Sequence, residues 1–478
     1  MSDKKHALEN EREFDALVES SFSEHPPIDM TDEITPWRKA TNRVIWGLAL
    51  KMVTLQFLWL DQILPFIGTF MLMLGFRTLR RENKWFRACH MISIVYAVNY
   101  FSSVVLDATV FEYGELLSKI MIAFSITVTL LLLICLWAAF RAVRKKAGIP
   151  SSAGSVAVLI VWYVVLISLA LINYEGILIP ILMIVSYAFI IRSLFRLSKE
   201  LDEAGYAISA APIKVSDRLF VAVIGSLVAV GIICGYAFFN SYPMKWAPLE
   251  TADTAQITEI KENLLDLGFP ENVLNDISNE DILACDGAEQ VVCSYEYYSN
   301  LSTGNEIKFR SVAVRIPKDD DNWKMFHHFV WLDSPKFYGT EGIQIWLSTQ
   351  EWQPNVEASG RVYYDEEGKT NFAPYYTLST ENSDYRLDAQ FYAGFSMPSG
   401  GENHRGYISY GIVNSTPDSW DVFTRISYMH QYGPAGYPVM TALDKSKSSD
   451  GNSNGMFEAV NDWFQFYIDP DCGEITVF

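Results

Sequence analysis

The sequence lacks the motifs that mark most enzyme active sites. Only 6 of its 478 residues are cysteine and only 7 are histidine. It has no Gly-rich phosphate loop, no nucleophile elbow and no paired-cysteine zinc motif. His327 and His328 are adjacent in an expected strand, so their side chains point to opposite faces and cannot bind one metal ion together. An envelope hydrolase is therefore the least favoured of the functions considered, and no catalytic residue is predicted.

Charged residues are almost absent from seven apolar stretches. The last one, Leu219 to Phe239, contains no charge and exceeds the roughly 18 apolar residues that indicate a membrane-spanning helix. The predicted spans are 44–60, 63–76, 85–106, 116–140, 156–172, 176–195 and 219–239. The first two are weaker, because Lys51 interrupts one and Pro65 shortens the other. They are either two spans or a re-entrant hairpin.

The charges that are present divide the chain into three parts. Residues 1–35 carry 3 Lys and Arg against 10 Asp and Glu, residues 36–240 carry 19 against 10, and residues 241–478 carry 15 against 36. Basic residues recur in alternate connections between the spans. The positive-inside rule then places the N-terminus and the basic loops in the cytoplasm and the C-terminal part outside, in a multi-pass plasma-membrane protein. No nucleic-acid partner is predicted, because an acidic external domain repels phosphate.

The acidic segment 1–36 is too polar to be a cleaved signal peptide. Within it, residues 7–22 form an amphipathic pattern whose apolar side includes Phe14, Leu17 and Val18. Such a helix either packs on the loops and the lipid surface or docks a cytosolic protein partner.

A transport function is the second hypothesis, and polar residues inside the spans are the evidence relevant to it. Such residues mark functional sites by default. Lys51 can extend towards a membrane surface, and His90 lies near the basic edge of its span. Asn99 is the strongly polar residue deepest in a span, and a single amide of this kind often forms a bond between helices.

The region 243–478 is predicted to be an extracytoplasmic domain with a small helical cap. Helices are expected within 252–291, where Ser278 and Asp281 form a capping pattern. Residues 292–478 are β-rich, because apolar residues alternate in segments such as 343–347 and 387–395. The predicted fold class is thus an α-helical polytopic membrane domain followed by a mainly-β domain, an antiparallel sandwich or barrel.

Three sets of residues in this domain are candidate sites. Asp450, Asn452 and Asn454 have the alternate spacing of a calcium loop, but Asn461 replaces the expected terminal Glu, so a solvated loop is the alternative. The tryptophans Trp331, Trp346 and Trp352 could stack on a glycan or peptide ligand or could fill the core. Cys285 and Cys293 are close enough in sequence to form a disulfide.

Two stretches resemble an uncharacterised family of multi-span proteins from Gram-positive anaerobic bacteria. They read GFRTLRRENKWFRAC, from Gly75 to Cys89, and LGFPENVLNDIS, from Leu267 to Ser278. The resemblance implies no activity. An external recognition domain, a lipid-embedded body and an internal helix together favour a protein that senses or binds a ligand at the cell envelope and relays a signal.

Overall fold

A computed structural model describes residues 35–52, 60–111, 114–150, 152–172, 174, 176–206, 208, 211, 215–249, 253–317, 322–347, 352–382, 389–414, 421–448, 455–469 and 474–478. The chain divides into two compact units. One is helical and lies within Met1–Ser102 and Tyr113–Ser226. The other comprises Ser103–Glu112 and Leu227–Phe478 and contains the β-sheets.

Seven helices precede the first strand in the described part of the chain. They are α1 (Pro36–Lys51), α2 (Leu60–Leu79), α3 (Lys84–Leu106), α4 (Glu115–Lys146), α5 (Gly154–Leu171), α6 (Leu178–Glu203) and α7 (Asp217–Phe238). Six of them, α2 to α7, are long and apolar enough to cross a membrane. The helical character of the N-terminal part is thereby confirmed.

Helix α1 differs most from its predicted bounds of 44–60. It begins at Pro36, where Thr35 is the N-cap and its hydroxyl accepts a hydrogen bond of 3.1 Å from the Arg38 backbone N–H. Proline is favoured at the first position of a helix because its missing N–H needs no partner there. The helix ends at Lys51, so it is shorter than a typical membrane span.

Helices α1 and α2 form an antiparallel hairpin in which glycines allow the two backbones to approach closely. A Cβ atom on Gly68 would lie 2.8 Å from the Gly47 carbonyl oxygen, and one on Gly75 would lie 2.9 Å from the Ala40 carbonyl oxygen. Small residues let two helix backbones approach this closely. Tyr187 of α6 also donates a 2.7 Å hydrogen bond to the Leu48 carbonyl, so α6 packs on the same helix.

Lys51 is half-buried and contacts two neighbouring helices of the helical unit. Its ammonium donates a 3.0 Å hydrogen bond to Thr129 Oγ1 on α4 and lies 3.5 Å from the centre of the Tyr96 ring on α3. The side chain thus has partners on two other helices, α3 and α4. A hydroxyl and an aromatic ring solvate the charge from within the bundle.

The second unit contains two antiparallel sheets. Its strands are β1 (Ala247–Pro248), β2 (Gln290–Cys293), β3 (Tyr297–Asn300), β4 (Glu306–Ile316), β5 (Asn322–Trp331), β6 (Glu341–Leu347), β7 (Trp352–Glu366), β8 (Lys369–Pro374), β9 (Thr377–Asn382), β10 (Ala389–Phe395), β11 (Glu402–Asn414), β12 (Asp421–Gln431), β13 (Phe457–Ile468) and β14 (Ile475–Val477). Sheet A runs β1-β8-β7-β11-β5-β4-β2, with β3 paired to β4, and sheet B runs β14-β13-β12-β6-β10-β9.

The two sheets pack face to face around one apolar core. Sheet A contributes residues such as Phe329 and Tyr410, and sheet B contributes residues such as Ile345, Phe391 and Phe464. The predicted antiparallel β domain is therefore confirmed as a sandwich. Strands β8 and β9 were not predicted, since the sequences KTNFAP and TLSTEN lack apolar alternation.

Short helices cover the outer face of sheet A. They are α8 (Ala255–Asp266), α9 (Glu271–Leu274) and α10 (Asn279–Leu283), and they bury Ile260, Leu264 and Val273 against Phe326 and Tyr407 of the sheet. The predicted cap is confirmed, as is the start of α10, where the Asp281 N–H donates a 3.2 Å bond to Ser278 Oγ. A fourth helix of this unit, α11 (Ala442–Lys447), packs on sheet B, where Gly342 leaves room for Ala442.

Candidate functional site

The outer face of sheet B carries a row of two tryptophans and one arginine, here called the Trp–Arg row. Strand β12 lies between β6 and β13, and its Arg425 is paired with Trp346 on one side and with Trp463 on the other. Directly paired residues of antiparallel strands project from the same face. The three side chains are therefore neighbours across three strands.

This row faces away from the core because its sequence neighbours face inward. Ile345, Ile426 and Phe464 each lie beside a member of the row and are buried between the sheets. Successive strand residues alternate between faces, so the row projects outward. Trp463 is 62% exposed, Arg425 is exposed and Trp346 is half-buried.

The row combines aromatic faces with a fixed cation. The Arg425 guanidinium lies 5.0 Å from the centre of the Trp346 ring, which orients it by a cation–π contact. Its N–H groups can donate to hydroxyl, carboxylate or carbonyl oxygens, while indole faces stack on flat apolar surfaces. Gln390 of β10 extends the row by one polar residue, since it pairs with Trp346. The arrangement can bind a ligand that is apolar on one face and rich in oxygens at its edge.

The other two candidate tryptophans are almost fully buried. Trp331 is 2% exposed and donates a 3.3 Å hydrogen bond to Tyr428 OH, and Trp352 is 3% exposed. Both fill the core, which is the alternative that the aromatic content left open. Trp463 and Arg425 were not predicted from the sequence. The signal for Trp463 is its position in β13, where it alternates with the apolar residues Phe464 and Phe466 and therefore faces outward.

The candidate disulfide between Cys285 and Cys293 is not formed in the structure, where both thiols are free. Cys285 is buried beneath the cap and its Sγ donates to the Asp281 carbonyl at 3.4 Å. Cys293 is half-buried at the end of β2 and its Sγ donates to the Gly268 carbonyl at 3.7 Å. The two side chains are thus held by different backbone partners. Burial raises the pKa of both thiols.

Two other sets of predicted residues lie outside the described part of the chain. These are the calcium-loop candidates Asp450, Asn452 and Asn454 and the docking candidates Phe14, Leu17 and Val18. Within the described ranges, no group of three or more His, Cys, Asp or Glu residues could hold a metal ion.

The two adjacent histidines do face opposite sides of sheet A. His327 lies in the core between Ser311 Oγ at 2.8 Å and Tyr410 OH at 3.0 Å, and burial lowers its pKa to about 3. His328 points to the helical cap, where its Nε2 lies 2.8 Å from Asp276 Oδ2. The prediction that they cannot share one metal ion is confirmed by this geometry.

A buried ionic network joins the cap to sheet A. Asp276 is only 7% exposed. Its Oδ1 accepts a 2.8 Å hydrogen bond from Arg405 Nε, and its Oδ2 is hydrogen-bonded to His328. Arg405 also donates to Asp365 Oδ1 at 3.1 Å. Burial alone would raise the pKa of Asp276, but hydrogen bonding to His328 and the charges of His328 and Arg405 lower it below its ordinary value. The carboxylate therefore stays ionised in the folded domain.

A second carboxylate, Asp281, makes a parallel connection. Its Oδ1 lies 3.0 Å from Lys324 Nζ, and its Oδ2 accepts a 2.7 Å bond from Tyr407 OH. Burial would raise the pKa of Asp281, yet the charge of Lys324 and the hydrogen bonds from Ser359 and Tyr407 lower it. The two carboxylates fix the cap on the sheet.

A cleft of about 330 Å³ lies on sheet A, where β5 ends and β11 begins. Its lining includes Asp333, Ser334, Glu402 and Asn403. The Asn403 side chain donates a 2.8 Å bond to Asp365 Oδ2, which links the rim of the cleft to the ionic network. The acidic lining favours a neutral or cationic occupant.

No protein-family model matches the chain, and no curated protein is similar to it. Among solved structures, the collagen-binding domain of a Staphylococcus aureus adhesin is 9% identical, with a TM-score of 0.19, over 31% of this chain and 90% of that domain. The collagen-binding domain of the Erysipelothrix rhusiopathiae surface protein RspB is 8% identical, also with a TM-score of 0.19, over 37% of this chain and 59% of that one. Similarity this low assigns neither a family nor a ligand.

Proposed function

We propose that the chain is an integral protein of the plasma membrane whose C-terminal β domain binds a ligand outside the cell. Six apolar helices of sufficient length support the membrane part. The excess of Lys and Arg in alternate connections supports a cytoplasmic N-terminus and an extracytoplasmic sandwich. Membership of the uncharacterised multi-span family and a relay through residues 7–22 belong to the same proposal.

The observation that carries the binding function is the Trp–Arg row. Large aromatic side chains are costly to expose, and Trp463 is exposed beside a second tryptophan and an arginine on a rigid sheet. We favour a glycan as the ligand, because a sugar ring presents C–H groups to an indole face and hydroxyls to a guanidinium. The acidic domain disfavours polyanionic glycans, so a neutral or weakly acidic cell-wall fragment fits best.

Replacing Trp463 or Trp346 with alanine is expected to weaken glycan binding at least tenfold while leaving the domain folded. Truncation of a tryptophan at the centre of an interface costs about 2 kcal/mol or more, and about 1.4 kcal/mol corresponds to a factor of ten. Calorimetric titration of the full protein with cell-wall glycan fragments measures the change.

The matched control for this experiment is Tyr295→Ala. Tyr295 is 75% exposed and lies outside the Trp–Arg row, next to β2 and β3 of sheet A. Its loss should leave affinity unchanged. If all three variants bind equally well, or if peptides bind while every glycan fails, the glycan proposal is excluded.

Transport is the second candidate function, and one observation favours it. Among the described residues, Lys51 has a hydroxyl and an aromatic ring as partners and no carboxylate. An ammonium inside a bundle without a counter-charge can attract an anion. Anion-dependent swelling of proteoliposomes that disappears in Lys51→Met would favour transport; identical swelling in both proteins would remove this support.

A further inference from the structure

The C-terminal end of α4 carries four basic residues with two different roles. Arg144 is buried, where its Nη1 lies 2.8 Å from Glu200 Oε2 and its Nε donates to the Pro150 carbonyl at 2.8 Å. Lys146 Nζ lies 2.8 Å from Glu82 Oε1. These two cations are neutralised within the protein and hold the end of the helix in place.

The other two cations, Arg141 and Lys145, line a concavity of about 530 Å³ together with Ala142, Gly148 and Ile149. They are four residues apart, so they lie one above the other on the same face of α4. In the part of the chain that the structure describes, neither has a carboxylate within ion-pair distance. Two adjacent positive charges therefore face an open space.

The turn after α4 shapes this concavity. Gly148 has φ +68°, in the left-handed region that glycine adopts without strain. The chain reverses there, and the Ile149 N–H donates a 3.0 Å bond back to the Arg144 carbonyl. The reversal brings Ile149 to the wall opposite the helix.

An exposed apolar stripe leads along α4 to this concavity. Leu131 and Ile134 are 48% and 46% exposed, and their spacing from Arg141 places all three on one side of the helix. The Arg141 guanidinium also lies 4.7 Å from the centre of the Trp137 ring. Tryptophan is enriched where a membrane protein meets the headgroup layer.

We propose that Arg141 and Lys145 bind the phosphate of an anionic phospholipid, whose acyl chains lie along the stripe that contains Leu131 and Ile134. Charge complementarity selects an anionic headgroup, and the exposed apolar side chains on the same side of α4 select a lipid over a soluble phosphate. The inference rests on the proposed membrane insertion. It assigns the site to the cytoplasmic leaflet, because the end of α4 is part of a basic connection.

Native mass spectrometry of the full-length protein, reconstituted with equal amounts of phosphatidylglycerol and phosphatidylcholine, tests the proposal. Wild-type protein should retain phosphatidylglycerol preferentially after detergent washing. In the double variant R141Q/K145Q, the ratio of retained phosphatidylglycerol to retained phosphatidylcholine should be at least fivefold lower. The charge-conserving variant R141K/K145R should keep most of it, since two cations remain at the site.

The matched control is R192Q/R196Q, which removes two exposed cations four residues apart on α6. Retention should be unchanged in this control. Equal retention of both lipids by the wild type, or equal loss in both glutamine variants, overturns the site. Displacement of the bound lipid by glycerol 3-phosphate at stoichiometric concentration would overturn the lipid specificity in favour of a soluble phosphate. A protein that fails to enter bilayers at all refutes the proposed membrane function instead.

Discussion

Replacing Asp276 with alanine is expected to lower the free energy of unfolding of the β domain by about 3 to 5 kcal/mol. The change removes the common partner of Arg405 and His328 beneath the helical cap and leaves Arg405 with Asp365 as its remaining carboxylate. Breaking a buried ion pair on one side costs this much because the remaining charge stays desolvated. Urea unfolding of segment 243–478, monitored by circular dichroism, measures the effect.

The acid dependence of the same domain gives an independent check on Asp276. Its folded pKa lies below the ordinary value of 3.8, so its stabilising contribution is present at neutral pH and is lost as the pH falls through the folded pKa. The variant should therefore approach the wild type in stability only under strongly acidic conditions. Asp266→Ala, at an exposed residue of α8, serves as the control and should change stability by less than about 0.5 kcal/mol. Equal effects of the two substitutions would show that the network does not hold the cap.

Replacing Asp462 with asparagine is expected to have the opposite effect and to raise the free energy of unfolding of the β domain by about 1 to 3 kcal/mol at pH 7.5. Asp462 lies on the inner face of β13, between Val460 and Phe464 and paired with Ile426. Its Oδ2 is buried and has no hydrogen-bond partner among the described residues. Burial raises the pKa of this carboxyl from 3.8 to about 6, against a smaller opposing effect of the Trp463 backbone N–H. Keeping it ionised at neutral pH therefore costs free energy.

The pH dependence of the stabilisation distinguishes the cost of ionising Asp462 from a general packing effect. The folded pKa is raised, so the penalty is present in full above about pH 6 and is relieved as the pH falls towards 3.8. Melting temperatures of Asp462→Asn and wild type should differ most above pH 7 and converge below pH 4. A constant difference across that range would rule out titration of Asp462 as the cause. The control is Asp266→Asn, at an exposed residue. Asp421→Asn is unsuitable because Asp421 is half-buried and accepts hydrogen bonds from Gln465.

The sequence predicted best where one periodic pattern decided the structure. Strands β6 and β10 follow from the alternation of residues such as Ile343, Ile345 and Phe391, and α10 follows from Ser278 and Asp281. Where a prediction from the sequence failed, the cause was local. Helix α1 starts at Pro36 because Thr35 caps it. The predicted span of 44–60 was placed by apolar content, which takes no account of this capping signal.

Long-range pairing explains what the sequence could not predict about the site. Trp346 becomes a neighbour of Arg425 and Trp463 through strand order alone, since β6 is distant in the chain from β12 and β13. Asp276 and Arg405 are 129 residues apart, and no pattern links them. The family resemblance in Leu267–Ser278 included Asp276 without indicating any contact. Strand register and burial decide which tryptophans lie in the core and which are exposed, and both are known only once the strands are paired in sheets.

The close approach of α1 to its neighbours has a consequence for synthesis of the protein. Helix α1 leaves the ribosome before the other described helices, yet it contains Lys51, is too short for a typical span and buries residues such as Trp37 and Thr41 against later segments. Trp37 and Thr41 contact Ser198 of α6, which is made more than 150 residues later. The contacts of α1 with Ser198 cannot form until α6 has been translated, so α1, the first of the described helices to be made, is among the last to complete its packing.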